Sequence, residues 1–262
     1  KGALYGMYHQ FRASFQTALI YWGDYRAGTF TNGAGGSGSA DKMFNNALDS
    51  SETKGTNWGS SYTTINNANL ILRHVPGITF SDENLKNLIL ANAHFVRAYT
   101  YYNIARVWGD APLLLEGFES SDSDLQPSRS DAALIYEQVA RDIEDALRLM
   151  PASGSADCTI ATRSAVQMLK ADYNLWLYQT REGGDDALTA ADEALAEVFK
   201  DSRLDLIGSM PTFSTSRKRT MPKSSSPSIS DRESTKAAMP APTSFRRPGS
   251  IRPANISKRT SN

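Results

Sequence analysis

Between Leu85 and Val107 the bulky apolar positions Leu88, Ile89, Phe95, Tyr99, Tyr102 and Val107 keep close to the spacing of one helical face, and Ala91, Ala98 and Ala105 recur every seventh residue. The pattern predicts a helix over residues 82–107, about 40 Å long at a rise of ~1.5 Å per residue. Ser81 is the expected N-cap, with Asp82 and Glu83 in the first turn, where the macrodipole favours acids. Gly109 can take the left-handed conformation that ends helices, and Pro112 cannot continue one. A helix of this length needs partner helices on more than one side, and its alanines let them approach closely.

Flanking segments repeat the helical signal. Residues 4–22 carry Leu4, Tyr8, Phe11, Phe15, Ala18 and Leu19 on one side; residues 28–40, with five glycines, read as a surface loop without the Gly-Lys-Ser/Thr of a phosphate cradle. A helix from Trp58 to His74 presents Tyr62, Ile65, Asn69 and Leu72 before Pro76-Gly77 stops it. Another is expected with Ser130 as cap and Asp131 as first position, running through Ile135, Val139, Ile143 and Leu147 to Pro151. A further helix opens at Thr162 and ends before Arg181, and the last covers residues 185–199. The expected fold class is therefore all-α. Successive pairs suggest tetratricopeptide-like hairpins, although no strict repeat of about 34 residues aligns.

Charge divides the chain. The net charge is zero, yet residues 211–262 hold 11 of the 28 Lys and Arg and only two acids, Asp231 and Glu233, a balance of +9 against −9 for residues 1–210. The same stretch has 12 Ser, 6 Thr and 7 of the 11 Pro, with no Leu, Val, Tyr or Trp, so it buries too little apolar surface to offset chain entropy. We expect a helical region over residues 1–207 and a disordered basic tail over 208–262. The tail reads as a binding arm for nucleic acid or an anionic membrane, as an inert linker, or as out-of-frame translation; the last is preferred, and no nucleic-acid partner is expected. Lys1 is not an initiator and no signal peptide precedes the helical pattern, so the start is expected to be missing. The single cysteine, Cys158, excludes an internal disulfide and offers no zinc spacing. No stretch reaches the ~18–20 apolar residues of a membrane span.

Four ordered motifs over residues 58–178 resemble the SusD-like (SusD/RagB) nutrient-binding proteins of the Bacteroidetes outer membrane. The first is Trp58, Tyr62, Ile65, Asn69 and Leu72; the second is Ala93, Arg97, Ala98 and Tyr99 or Tyr102, leading to Trp108, Gly109, Asp110, Pro112 and Leu113. The third is Arg129, Tyr136, Val139, Asp142, Ile143 and Ala146 with the 149–151 ending, and the fourth is Ala161, Thr162, Arg163, Ala165 and Leu169, departing from the pattern at Val166. A back-translation from Met210 read two nucleotides later also resembles what such proteins carry at that point. The resemblance implies a SusD-like helical fold and a non-catalytic protein that captures glycans or other nutrients over a TonB-dependent, SusC-like transporter. It further implies a cell-surface location on the outer membrane, through a lipid anchor missing from this chain. A tetratricopeptide-like scaffold for protein partners is the alternative.

The residues themselves assemble no nucleophile, metal or cofactor cradle, and no cofactor is expected. His74 sits at a helix C-terminus, where the dipole favours imidazolium, and His94 has no implied acidic partner. Asp110 reads as a backbone cap, and Arg97 and Arg106 as partners of acids on other helices. Glycan capture needs exposed rings and planar polar groups. Trp22, Asp24, Tyr25 and Arg26, beside the glycine-rich loop, are the best ligand candidates; the competing reading packs this helix end on the core.

Overall fold

The computed structural model describes residues 1–28, 41–51, 55–119, 126–151, 159–180 and 183–204. In chain order the helices are α1 (Gly2–Phe15), α2 (Ala18–Trp22), α3 (Asp41–Phe44), α4 (Gly59–His74), α5 (Glu83–Trp108), α6 (Ala132–Leu149), α7 (Arg163–Thr180) and α8 (Gly184–Phe199), with short 3-10 turns at Asp24–Ala27 and Val75–Gly77. Among the described residues there is no strand; an isolated antiparallel bridge joins Ala111 to Ser130. The expected all-α class holds.

Helix α5 is the axis. It packs against α1, α4, α6 and α7, while α6 continues to α7 and α7 to α8. Neighbours in sequence are thus neighbours in space, as in helix-hairpin arrays. Because α5 is covered on several sides, it needs no single apolar stripe. Ala91 and Ala98 are fully buried and Ala105 nearly so, which is where the seven-residue alanine recurrence brings partners close; Tyr101, Tyr102 and Ile104 fill the space between. Tyr8 ties α1 to this core: its hydroxyl bonds Asn92 Oδ1 and accepts the amide of Ala161 at 2.8 Å.

Three boundaries differ from the sequence expectation. Asp82 and Asp131, not Ser81 and Ser130, are the N-caps of α5 and α6. Their carboxylates accept the amides of Asn84 at 2.9 Å and Ala133 at 2.7 Å from non-helical backbone, and Ser130 instead pairs its backbone with Ala111. The helix expected over residues 4–22 breaks at Thr17, whose φ of −116° leaves the helical range. The turn lets the Trp22 indole donate to the Gly55 carbonyl at 2.6 Å. The expected glycine-rich loop beyond Gly28, Cys158 and the tail over residues 208–262 lie outside the described residues.

Candidate functional site

After α5, residues 112–119 run as a strap outside any helix or strand, so its backbone polar groups must find side chains. One face of α4 supplies them at positions 62, 66, 69 and 73. The Tyr62 hydroxyl donates to Pro112 O at 2.7 Å; Asn66 brackets Phe118, donating to its carbonyl at 3.1 Å and accepting its amide at 2.7 Å. Asn69 Nδ2 donates to Leu114 O at 3.0 Å and Glu116 O at 3.1 Å, and Arg73 Nη1 to Gly117 O at 3.2 Å. From α5, the Tyr101 hydroxyl donates to Leu114 O and accepts Leu114 N. Of these only Tyr62 and Asn69 are legible as motif positions; Asn66, Arg73 and Tyr101 are missed, although the i, i+4, i+7, i+11 spacing on α4 carries the signal.

The strap is coupled to the interior through Asn69. Its Oδ1 accepts from Arg97 Nη1 at 2.8 Å, while Arg97 grips Asp142 of α6 through Nε–Oδ2 at 2.8 Å and Nη2–Oδ1 at 2.7 Å. His94 Nδ1 lies 2.7 Å from Asp142 Oδ1. The expectation that His94 lacks an acidic partner is therefore corrected: Asp142 is 48 positions away in sequence, but His94 stands one turn before Arg97 on α5, and the pairing of α5 with α6 brings Asp142 to both. Burial alone would raise the Asp142 carboxyl, but hydrogen bonds from His94 and Arg97 hold it below the usual carboxylate range. His94, Asp142 and Asp145 bring ligand-type atoms within 4.8 Å of one another, yet Arg97 already occupies both oxygens of Asp142 with a fixed positive charge. The arrangement is a buried polar rivet joining α4, α5 and α6.

The other motif residues serve junctions. Gly109, at φ 71° and ψ −118°, turns the chain out of α5, and Asp110 Oδ1 accepts the Ala132 amide at 2.9 Å, capping α6 across the turn. Arg163 reaches back from α7 to the Leu147 carbonyl at 2.8 Å, closing the C-terminal end of α6. Tyr99 sets its ring edge-on to Phe11 and Phe15. Arg106 lies over the Trp176 ring at 4.5 Å and 3.5 Å from Asp172. His74 pairs with Glu119 at the end of the strap.

The four proposed ligand residues do not share one environment. Trp22 is half-buried: its ring stands edge-on to Phe15 at 6.0 Å and to Trp108 at 5.3 Å, and its N–H is spent on Gly55. Tyr25 packs on Phe44 with ring centroids 4.5 Å apart, while Asp24 and Arg26 are exposed; Arg26 Nε donates to Asn46 Oδ1 at 3.1 Å. Asp24 and Arg26 thus lie at the surface of the 3-10 turn beside the half-buried Tyr25, while Trp22 belongs to the aromatic packing of the scaffold. The row Trp22, Trp108, Trp58 continues edge to edge to Tyr62, where an aromatic-walled cleft of about 510 Å³ opens between α4 and the strap.

Residues 25–171 match a SusD-like family model described as starch-binding and associating with the outer membrane. The chain is 29% identical over 191 residues to the SusD-like protein P38 of Formosa agariphila, covering 72% of this chain and 37% of that protein. It is 30% identical over 151 residues to the SusD-like protein P2 of the same organism, covering 57% and 28%. The chain thus spans well under half the length of these relatives. Among solved structures, a SusD superfamily protein from Bacteroides vulgatus superposes with a TM-score of 0.69 at 24% identity, over 79% of this chain and 42% of that one. NanU of B. fragilis superposes with a TM-score of 0.65 at 22% identity, over the same shares of each chain.

Proposed function

The chain belongs to the SusD-like family, and from that premise we propose that it is the non-catalytic, glycan-capturing component of a TonB-dependent outer-membrane uptake system, working with a SusC-like transporter as a surface lipoprotein. The observation that carries this reading is the match of a starch-binding, outer-membrane-associated family across residues 25–171. The geometry supports it. The conspicuous polar residues of the interior, Arg97, Asp142 and His94, are consumed in mutual bonds that hold helices together, which suits a scaffold rather than a reaction centre. Trp22, Asp24, Tyr25 and Arg26 are the proposed saccharide contacts, aromatic and charged groups of the kinds that stack on sugar faces and bond sugar hydroxyls.

A glycan array probed with the full chain tests the capture function. Retention of one saccharide class is the expected outcome; absence of binding to every saccharide removes it. Co-purification with a SusC-like transporter encoded alongside tests the partner.

A further inference from the structure

We propose that the cleft between α4 and the strap binds a small organic acid, an aromatic or alicyclic body carrying one carboxylate, with Arg129 as its charge partner. This site is separate from saccharide capture and does not rest on it. The cleft holds about 510 Å³, within the range of small-ligand sites. The rings of Trp58, Tyr62 and Phe118, with Pro112, Leu114 and Pro127, make its walls apolar. The hydrogen-bonding groups among its lining residues on α4 are already spent on the scaffold. Asn66 gives its amide and its carbonyl to Phe118, and Asn69 gives its own to the strap and to Arg97. The Tyr62 hydroxyl donates to Pro112 O and Thr63 Oγ1 to Gly59 O. A ligand rich in hydroxyls would leave water here without replacement bonds, whereas an apolar body is favoured.

Charge narrows the class further. Arg129 stands over the Trp58 ring at 5.1 Å and its positive charge acts on the Tyr62 hydroxyl, so it borders both aromatic walls. Asp110 offers it a backbone carbonyl at 3.3 Å, while the Asp110 carboxylate turns to the Ala132 amide. Arg129 is exposed and has no carboxylate partner among the described residues. Glu116 carries the one formal charge among the described lining residues, and it shares a neighbouring hollow with Arg73, whose positive charge offsets it. What remains is a guanidinium beside an apolar cleft, with the Trp58 indole N–H, which has no acceptor among the described residues, as a further donor. A guanidinium takes a carboxylate as a planar fork. Tyr62, Asn66 and Asn69 hold the strap to α4, so little ordering accompanies binding.

The test is calorimetric titration of the full 262-residue chain with naphthoate and with its uncharged counterpart naphthamide. The variants are Arg129→Gln, Arg129→Lys and Thr63→Glu, the last bringing like charge to the bound acid from an exposed position of α4 in the cleft. Thermal melting verifies that each folds. The wild type is expected to bind naphthoate about tenfold more tightly than naphthamide, a preference removed by Arg129→Gln and largely kept by Arg129→Lys. Thr63→Glu is expected to weaken naphthoate about tenfold and naphthamide by less than about threefold. Equal binding of the two by the wild type, or a naphthoate preference that survives Arg129→Gln, overturns the role of Arg129. Naphthoate binding indifferent to Thr63→Glu places the acid outside this cleft, and failure to bind either compound overturns the site. Displacement of naphthoate by a saccharide retained on the glycan array also overturns it, returning the cleft to sugar capture. The capture reading stands or falls on the array alone.

Discussion

Arg97 and Asp142 form a two-pronged ion pair, Nε to Oδ2 at 2.8 Å and Nη2 to Oδ1 at 2.7 Å, with less than a tenth of either side chain exposed. Removing one partner leaves the other charge buried and unpaired. Asp142→Asn should therefore destabilise the chain by about 3–5 kcal/mol, read by urea unfolding at neutral pH. Arg97→Lys should fall in the same direction, because an ammonium cannot reproduce the planar fork that also reaches Asn69. A loss below ~1 kcal/mol in either variant would contradict the rivet.

The same pair sets an acid limit. The folded carboxyl of Asp142 is depressed below its unfolded value of about 3.9. Its contribution is thus complete above that pH and is lost as pH falls through the lower folded value. Unfolding free energy should decline below pH ~4, and Asp142→Asn should show a shallower decline when the two are compared by denaturant titration over that range.

Gly117 has no room for a side chain. A Cβ there would lie 2.7 Å from Leu70 Cδ2 and 3.0 Å from the Leu70 backbone nitrogen, so yielding of the leucine tip alone does not relieve it. Gly117→Ala should cost about 1–3 kcal/mol, visible as a lowered melting temperature.

Asp110 caps a helix other than the one it follows. Asp110→Ala should cost about 1 kcal/mol, and Asp110→Asn less, because an amide oxygen still accepts the Ala132 N–H. Amide exchange at Ala132 is the specific readout: faster exchange in the alanine variant is expected, and unchanged exchange would rule the cap out.

Tyr25 offers the ring proposed for sugar stacking at the α2 turn. Tyr25→Ala should weaken saccharide affinity roughly three- to tenfold by titration. An affinity equal to wild type would move capture away from this cluster. Trp22→Ala is a poor test of the same idea, since the loss of its contacts with Gly55 and Trp108 disturbs the scaffold itself.

Much of the scaffold was legible because helix periodicity and punctuation act locally. The alanine recurrence in α5 lands in its buried contacts, Gly109 has a positive φ, and Asp110 caps as its place in a tight turn suggested. The cap positions slipped by one because Ser81-Asp82 and Ser130-Asp131 each juxtapose two good caps, and only backbone geometry chooses between them. The break at Thr17 was hidden because Ala18 and Leu19 continue the apolar spacing past it. The role of α4's polar side chains was the largest omission: Tyr62 and Asn69 were legible as motif positions, but nothing local says that with Asn66 and Arg73 they hold a segment that arrives more than 40 positions later. The candidate binding surfaces were less legible for the same reason, since a cleft made by α4 and the strap has no contiguous signature in the chain.

The run of Trp22, Trp108 and Trp58, with ring centroids 5.3 and 5.7 Å apart, has an optical consequence. Three of the four tryptophans share their excitation within one corner of the molecule, while Trp176 sits apart beneath Arg106. Intrinsic emission and the near-ultraviolet circular dichroism of this protein therefore report chiefly on the junction where α2, α4 and the end of α5 meet. They carry an exciton-coupled signature that vanishes when that corner opens, even if the far helices persist.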